Sequence, residues 1–295
     1  MTKRLIKKAV IGDAGVASRY LPVTKTFPKA LLPLLNKSIM DWVILECQEA
    51  GIEEILIVTD PSNIKTYENY YYDASQRIKD VLQRQKKLER YSNILDLFSY
   101  PKITVIPQLS ELPYGSAAPL VSARKYLEKE IGFLYCQGDD VVHGSEKDAD
   151  TMCKAFAEEP TVEGVIMTQE TPNEDLHHYG VVKLKDSCYL DHIVERPTEG
   201  KAPSNLVSYG RYLLRPSIFD AADEVMKDHM EGEFMLVDAI TKLASTKKVL
   251  VKKTEGIWLT TGDPLNHLKA QLTFALGHDK YKEEMEKFIK QLIRA

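Results

Sequence analysis

The sequence has no long apolar run, no excess of positive charge and no paired cysteines. Its 295 residues carry 39 Lys and Arg against 43 Asp and Glu. The scattered cations and the net charge of −4 exclude the basic stripe of a nucleic-acid-binding protein. No apolar stretch is long enough for a transmembrane helix, and residues 1–9 lack the apolar core of a signal peptide. We therefore expect a cytoplasmic protein with neither a nucleic-acid nor a membrane partner.

Metal-binding patterns built on cysteine or histidine are also missing. The 4 cysteines form no CxxC pair, so we interpret them as free thiols of a reducing compartment. The adjacent His177 and His178 cannot easily share one metal ion, and no HExxH spacing occurs. A zinc site is not expected.

Short apolar segments alternate with helical patterns through the first half of the chain. Ser38 is a predicted N-cap for a helix that ends before Gly51. Apolar residues at helical spacing predict a further helix over about 74–98, as an excursion packed on the edge of the core. Five strands are predicted from Lys7, Glu54, Ile103, Phe133 and Gly164, of which the first two are expected to be buried. This alternation predicts an α/β fold with a Rossmann-like, doubly wound sheet.

The pattern changes after Thr168. The segments YGVVKL, YLDHIVE and LVSYGRYLL predict strands of a mixed or antiparallel sheet. Helices are predicted at about 217–227 and 237–244, and a helix-rich tail begins at Asp263. Because no linker or repeat is visible, we predict one domain over 1–295. It would comprise a first part to about 165, an extension over about 166–262, and C-terminal helices over about 263–295.

The loop after the first strand, residues 12–33, has features that suit phosphate groups. Gly15 and the small Ala14 let backbone N–H groups approach an anion closely. Arg19, Lys25 and Lys29 add positive charge, and ligands of doubly wound folds bind beside such loops. The alternative is a solvated loop with ordinary surface cations. The loop is neither a Walker A motif nor GxGxxG, which argues against a dinucleotide-dependent dehydrogenase.

The same loop resembles the AGxGTRxLPxTKxxPKEMLP signature of bacterial UTP–glucose-1-phosphate uridylyltransferases. The matches are Ala14-Gly15, Arg19, Leu21-Pro22, Thr24-Lys25, Pro28-Lys29 and Leu32-Pro33. The likeness continues through AGIEEILIVT, ENYYYDAS, QGDDVV, YGVV, VERP, PSN, GRYLL and GDPLNHLKA. It implies a glycosyltransferase-A-like nucleotidyltransferase fold, with nucleotide bound by the first part of the chain and sugar by the extension.

The resemblance also implies a reaction. A phosphate oxygen of glucose 1-phosphate would attack the α-phosphorus of UTP and release pyrophosphate, assisted by Mg²⁺, in a homodimer or homotetramer. Arg19 would hold the triphosphate, Lys29 would contact phosphate at the reacting centre, and Asp139 would bind the metal. Lys25 is assigned a structural role in preference to a second phosphate contact. Asp139 and Asp140 are predicted to end the fourth strand, and Asp140 is assigned to a cap or to support of Asp139, since Asp-rich turns and helix caps are common.

Substrate-binding residues follow from the same likeness. Gln108 and Gly115 would read the uracil edge, although Pro107 and Ser116 stand where the family has arginine and histidine. Sugar and sugar phosphate would meet Gly180, Glu195 and Arg196, with Asn205 and Gly210 shaping the same pocket. A turn glycine and an exposed strand-end carboxylate are the alternatives for Gly180 and Glu195.

Three departures from the family pattern keep other hypotheses open. Ala17 replaces the second glycine of the loop, Ala30 replaces the glutamate of PKEMLP, and Thr260 stands where relatives have a metal-binding aspartate. A positive φ at Ala17 would strain it by about 1 kcal/mol or more. The alternatives are a catalytically weak or inactive paralogue that binds nucleotide or regulates a true enzyme, and a transferase for another base or sugar 1-phosphate. For the apolar run Ile257 to Leu259 we weigh an oligomer interface against the core.

Overall fold

The computed structural model describes residues 5–87, 100–144, 147–228 and 232–294. Its strands are β1 Lys8–Asp13, β2 Pro33–Leu34, β3 Lys37–Ser38, β4 Glu54–Thr59, β5 Lys102–Pro107, β6 Phe133–Gln137, β7 Asp140–His143, β8 Gly164–Glu170, β9 Gly180–Lys185, β10 Tyr189–Glu195, β11 Leu206–Leu214, β12 Val249–Lys253 and β13 Ile257–Thr260. Its helices are α1 Ile39–Glu49, α2 Ile64–Glu68, α3 Ala74–Arg84, α4 Ala117–Ser122, α5 Arg124–Leu127, α6 Asp148–Glu158, α7 Ile218–Asp228, α8 Leu236–Ala244, α9 Pro264–Leu276 and α10 Lys282–Arg294.

A mixed sheet in the order β5-β4-β1-β6-β11-β8-β12-β10-β9 runs through the protein. The first four strands are parallel, whereas β11 runs antiparallel to its neighbours β6 and β8. Apolar side chains are buried on both faces of this sheet, and every residue of β11 is buried. The predicted α/β fold with a doubly wound mixed sheet is confirmed, and the five strands predicted first are present. The edge strand β5 is only partly buried, whereas β1 and β4 are buried as expected.

Helix α1 begins where the sequence predicts. The Ser38 hydroxyl accepts a hydrogen bond from the Asp41 amide at 3.0 Å, and the Asp41 carboxylate accepts one from the Ser38 amide at 2.8 Å. This capping box satisfies two amides of the first turn. The chain then leaves the helix before Gly51, which has a φ of 83°.

The excursion between β4 and β5 is tied to that same helix start. The hydroxyls of Tyr70 and Tyr100 each donate to the Asp41 carboxylate at 2.8 Å, and that of Tyr71 donates at 3.2 Å. Within the predicted helix over about 74–98, α3 covers Ala74–Arg84, and its Ile78 is exposed. The remainder from residue 88, with the apolar Leu88 and Leu95, lies outside the described residues.

A second, two-stranded sheet was not predicted. In it β13 pairs with β7, and Thr260 lies opposite Asp140. The prediction that Asp139 and Asp140 end the fourth strand is wrong, because β6 stops at Gln137 and Asp140 opens β7. Asp140 is therefore not a helix cap. Trp258 is buried against the rings of Tyr179 and Tyr209, so the core reading holds for it.

Within residues 5–87, 100–144, 147–228 and 232–294, no helix is both long and apolar enough to cross a membrane.

Candidate active site

The carboxyl ends of β1, β5 and β6 border a cavity of about 290 Å³, here called the nucleotide cavity. Seven of the predicted site residues line it: Ala14, Gly15, Lys29, Gln108, Gly115, Asp139 and Arg196. Residues that are 182 positions apart in sequence therefore meet at one place, as expected for ligands bound outside the ends of parallel strands.

A second cavity of about 440 Å³, here called the arginine cavity, shares Arg196 with the first. It is lined by Arg19, His177, His178, Tyr179, Arg196, Thr260, Gly262, Asp263 and Asn266. Two guanidinium groups and two imidazoles thus face a single carboxylate, that of Asp263, which is already engaged as the N-cap of α9. The cavity suits an anion.

Lys29 and Asp139 form an ion pair in the nucleotide cavity. The Lys29 ammonium lies 2.5 Å from Oδ2 of Asp139. Burial acts to raise the pKa of Asp139, but the charge and the hydrogen bond of Lys29 outweigh it, and the net pKa is lowered. Burial likewise acts to lower the pKa of Lys29, yet the carboxylates of Asp139 and Asp13 raise it overall. Both groups are therefore charged at neutral pH.

The backbone around Asp139 is held by the segment that follows β13. The amide and the hydroxyl of Thr261 each donate to the Asp139 carbonyl at 2.7 Å. The Tyr20 hydroxyl, from the phosphate loop, donates in turn to the Thr261 carbonyl at 2.6 Å. These bonds connect the loop, Asp139 and the end of β13 into one unit.

The same segment brings Thr260 to Asp139. A methyl group added to Gly262 would lie 3.3 Å from Oδ2 of Asp139, 3.4 Å from the Thr260 hydroxyl and 3.8 Å from an Arg19 nitrogen. The absence of a side chain at Gly262 thus leaves a gap bordered by a carboxylate, a hydroxyl and a guanidinium. Gly262 lines the arginine cavity and Asp139 lines the nucleotide cavity, so the gap marks where the two adjoin.

Asp140 lies behind Asp139 and is buried. Its Oδ1 accepts a hydrogen bond from the Trp258 indole at 2.9 Å, and its Oδ2 accepts one from the Gly210 amide at 3.3 Å. Burial and the neighbouring charge of Asp139 raise the pKa of Asp140 to about 6. Asp140 therefore supports the strand that follows Asp139, in line with the second of the two roles predicted for it.

A buried ion pair fixes the turn that carries Asp139. The Arg211 guanidinium, with no exposed surface, donates to both carboxylate oxygens of Glu46 at 3.0–3.1 Å. It also donates to the carbonyls of Asp140 at 2.7 Å and of Gln137 at 3.4 Å. Arg211 thus hydrogen-bonds to both ends of the turn over residues 137–140.

Gln108 and Gly115, which both line the nucleotide cavity, lie on two different segments. The backbone amide of Gln108 donates to the Thr59 carbonyl at 2.8 Å, which fixes the end of β5. A methyl group on Gly115 would lie 2.2 Å from the Phe234 carbonyl oxygen, so the chains can meet only at a glycine. Ser116, where the family has histidine, accepts from the Leu236 amide at the start of α8 at 2.9 Å.

Gly180 and Glu195 are paired across β9 and β10 but line neither cavity. A methyl group on Gly180 would lie 2.9 Å from the Glu195 carboxylate, so the glycine leaves room for that carboxylate. Burial raises the pKa of Glu195. Its carboxylate lies 3.6 Å from the guanidinium of Arg196, which connects this pair to both cavities.

The other sequence features have plain structural settings. Ala17 has a φ of 49°, which is the positive φ that strains a residue with a side chain. Ala30 is fully buried, and Lys25 is exposed and lines neither cavity. Asn205 is exposed and lies outside both cavities, whereas Gly210 contacts Asp140.

Sequence reasoning missed several residues that line the two cavities. Asp13, Tyr114, Glu233 and Met235 line the nucleotide cavity, and the two histidines set aside as zinc ligands line the arginine cavity. Position 13 directly precedes the small residues of the loop, which was a usable signal. No local pattern connects residue 233 to residue 114, because the Phe234 amide reaches the Tyr114 carbonyl only through the tertiary fold.

Known proteins share the sequence pattern and the fold of this chain over most of its length. The sequence model of the nucleotidyl transferase family matches residues 8–275. A UTP–glucose-1-phosphate uridylyltransferase of Staphylococcus epidermidis is 32% identical over 97% of this chain and 98% of that protein. One of Staphylococcus saprophyticus is 32% identical over 98% and 99%. The solved structure of a UTP-bound UGPase from Acinetobacter baumannii superposes with a TM-score of 0.85 at 28% identity, covering 97% of this chain and 99% of that one.

Proposed function

The chain belongs to the nucleotidyl transferase family, and from that premise we propose that it transfers the uridylyl group of UTP to glucose 1-phosphate. The products are UDP-glucose and pyrophosphate. The names of the Staphylococcus relatives and the UTP-bound neighbour support this choice of substrates. The observation that carries it is the Lys29–Asp139 pair, which lies where the nucleotide and arginine cavities adjoin.

The chemical task is to bring two anions together. Attack of a sugar phosphate on a nucleoside triphosphate needs neutralised charge and alignment more than covalent catalysis. Lys29 would turn from Asp139 to the phosphate at the reacting centre. Arg19, in the arginine cavity, would hold the β- and γ-phosphates and stabilise the departing pyrophosphate. Arg196, which lines both cavities, would bind the phosphate of the sugar.

The base and the sugar would occupy opposite ends of the site. The backbone at Ala14 and Gly15 would approach the phosphates, with Gln108 and Gly115 at the uracil edge. A glutamine amide offers both a donor and an acceptor, which suits an imide. On the other side, Glu195, whose carboxylate occupies the room left by Gly180, would accept hydrogen bonds from sugar hydroxyls.

We propose Mg²⁺ as the cofactor, held by the Asp139 carboxylate with the Thr260 hydroxyl beside it. The gap at Gly262, bordered by these two oxygens, fits a cation that takes one or two carboxylates and otherwise substrate phosphates. When bound, the ion would offset the charge that develops on the reacting phosphates. The Arg19 guanidinium, close to the same gap, would contact the phosphates beside the ion.

We further propose a cytoplasmic homo-oligomer, a dimer or tetramer, built as one domain with the boundaries predicted above. Helices α9 and α10 expose a set of large apolar side chains that would suit contact with a second copy: Leu265, Leu268, Leu272, Phe288, Leu292 and Ile293. The free thiols, including Cys47 and Cys136 with sulfurs 3.9 Å apart, fit a reducing compartment.

The test is pyrophosphate release from UTP plus glucose 1-phosphate, with Mg²⁺ titrated. Asp139→Asn removes the proposed metal ligand at constant size and should abolish turnover. Asp279→Asn, an exposed aspartate between α9 and α10, is the matched control and should keep full activity. Equal activity of the two variants would refute the role of Asp139.

Two alternatives have their own outcomes. Thr260 favours a weak or inactive paralogue, for which no nucleotide and sugar phosphate would react at any Mg²⁺ concentration while UTP still bound. Pro107 and Ser116 at the base-reading segments favour another base. In that case a panel of triphosphates and sugar 1-phosphates would show a better pair than UTP and glucose 1-phosphate.

A further inference from the structure

Asp13 is a buried carboxylate at the reacting centre for which the proposed reaction has no role. It ends β1, is 4% exposed and lines the nucleotide cavity. Its Oδ2 accepts a hydrogen bond from the buried hydroxyl of Tyr67. Its Oδ1 is hidden from solvent and has no hydrogen-bond partner among the residues that the structure describes. An unpaired carboxylate oxygen is expensive to bury, so a cation that reached this oxygen would stabilise the charged form of Asp13.

The cation that acts most strongly on Asp13 is Lys29. Burial raises the pKa of Asp13, and the Lys29 charge is the largest influence that opposes the rise. Asp13 in turn is second only to Asp139 among the carboxylates that favour the charged form of Lys29. The hydrogen bond of the ammonium nevertheless goes to Asp139, at 2.5 Å. Asp13 therefore lies within electrostatic reach of Lys29 without being its hydrogen-bond partner.

The backbone holds Asp13 close to the Asp139 turn. The Thr59 hydroxyl donates to the Asp13 carbonyl at 2.9 Å, and the Gly138 amide donates to the Gly12 carbonyl at 3.0 Å. A methyl group on Gly138 would lie 3.2 Å from Cβ of Asp13. Since Gly138 directly precedes Asp139, the carboxylates of Asp13 and Asp139 start from backbone segments that are in contact.

Turnover, if the proposed function holds, requires Lys29 and Asp139 to separate. Asp139 would turn to the metal and Lys29 to phosphate, and a largely buried ammonium that loses its hydrogen-bonded carboxylate is strongly destabilised unless another carboxylate lies close to it. We infer that Asp13 is a positioning residue for Lys29, and that it holds the ammonium while Asp139 is engaged with the metal. Lys29 then alternates between the carboxylates of Asp139 and Asp13. The unpaired Oδ1 of Asp13 is the second acceptor for its ammonium.

The experiment compares Asp13→Asn with Tyr67→Phe in otherwise intact protein. Asp13→Asn keeps the shape and removes the charge, so Lys29 stays on Asp139. We expect kcat to fall about tenfold to a hundredfold, as for other supporting residues of metal sites, with little change in KM for glucose 1-phosphate. Mn²⁺ binding to the enzyme–UTP complex, followed by electron paramagnetic resonance, should weaken by a similar factor. Tyr67→Phe keeps the carboxyl group but removes a hydrogen bond that favours its charged form, so both measurements should change in the same direction as for Asp13→Asn and by a smaller factor.

A double variant shows whether the effect passes through Lys29. In a Lys29→Met background, Asp13→Asn should cause little further loss in kcat or in Mn²⁺ affinity. An undiminished further loss, a Tyr67→Phe defect as large as that of Asp13→Asn, or wild-type behaviour of Asp13→Asn would each overturn the inference. Thermal unfolding comes first, and Asp13→Ser replaces Asp13→Asn if the latter does not fold.

The two hypotheses fail separately. A wild-type protein that releases no pyrophosphate from any substrate pair refutes the proposed function. The Mn²⁺ titration needs no turnover, so it still tests whether Asp13 draws Lys29 away from Asp139. Conversely, an active wild type with an unaffected Asp13→Asn variant refutes the role of Asp13 alone.

Discussion

The indole nitrogen of Trp258 donates a 2.9 Å hydrogen bond to the buried carboxylate of Asp140. Trp258 lies on the strand that carries Thr260, and Asp140 directly follows Asp139. One hydrogen bond therefore fixes the two segments that border the gap at Gly262 with respect to each other.

Trp258→Phe keeps an aromatic ring and removes that bond. An acceptor left buried without its donor costs about 1–3 kcal/mol, so the free energy of unfolding should fall by that amount. We expect kcat to fall as well, because the Asp139 turn loses a support. Trp42→Phe is the matched control, since its indole donates to the Leu34 carbonyl at 3.0 Å on a different segment. A kcat loss as large in Trp42→Phe would contradict a specific role for Trp258.

The raised pKa of Asp140 predicts a pH dependence of stability. Burial, and then the charge of Asp139, lift the pKa of Asp140 to about 6, above the ordinary value near 4. Between those values the unfolded chain releases the proton while the folded chain keeps it. This group's contribution to stability is therefore complete below about pH 4 and is lost as pH rises through about 6.

Asp140→Asn should abolish that dependence. Urea unfolding of wild type and variant at pH 4.5 to 7.5 gives the difference in unfolding free energy. It should shift in favour of the variant by on the order of 2 kcal/mol as pH rises. A difference that stays constant across this range would show that Asp140 does not titrate there.

At Thr260 the aspartate of the family pattern can be restored by a single substitution. Thr260→Asp places a second carboxylate beside the gap at Gly262, where the hydroxyl now lies. The Mg²⁺ concentration for half-maximal activity should fall several-fold, because two carboxylates bind the ion better than one. Without metal, the crowded carboxylates should lower the melting temperature, and Mg²⁺ with UTP should restore it. Thr260→Asn matches the size without the charge and should show neither effect.

Ala17 predicts a gain in stability. Its φ of 49° and ψ of 46° lie in the left-handed region, where a side chain costs about 1–2 kcal/mol. Ala17→Gly relieves that cost but adds freedom to the unfolded chain, so we expect a net gain of about 0.5–1 kcal/mol in chemical unfolding. Ala14→Gly, at a neighbouring residue without positive φ, should instead lose stability. Equal effects at both positions would contradict strain at Ala17.

Much of the fold followed from local sequence patterns. Periodicity gave the buried strands, and Ser38 gave the start of α1, because both depend on neighbours in sequence. The short strands β7 and β13 were missed since each has only four residues, too few for a recognisable alternation. Their existence depends on pairing across the fold, which also decides that Asp140 opens a strand rather than ending one.

The candidate site likewise contains some residues that local motifs identify and others that only the tertiary structure brings together. Arg19, Lys29, Gln108 and Asp139 could be named from the sequence because they lie within recognisable motifs. The contact of Ser116 with the Leu236 amide, 120 positions away, could not, because only the tertiary structure brings these residues together. The same is true of Glu46 and Arg211, which are 165 positions apart.

The buried ion pair of Arg211 and Glu46 can be tested by removing one partner and then both. Arg211→Met leaves the Glu46 carboxylate buried and unpaired, which should lower the free energy of unfolding by about 3–5 kcal/mol. Glu46→Gln in the same chain removes the stranded charge and should recover most of the loss. The double variant should nevertheless stay slow, because the Asp140 carbonyl, 2.7 Å from the guanidinium, has lost its donor. Chemical unfolding and kcat measured together separate the two effects. If the double variant regained wild-type kcat, the guanidinium would stabilise the protein without positioning the Asp139 turn.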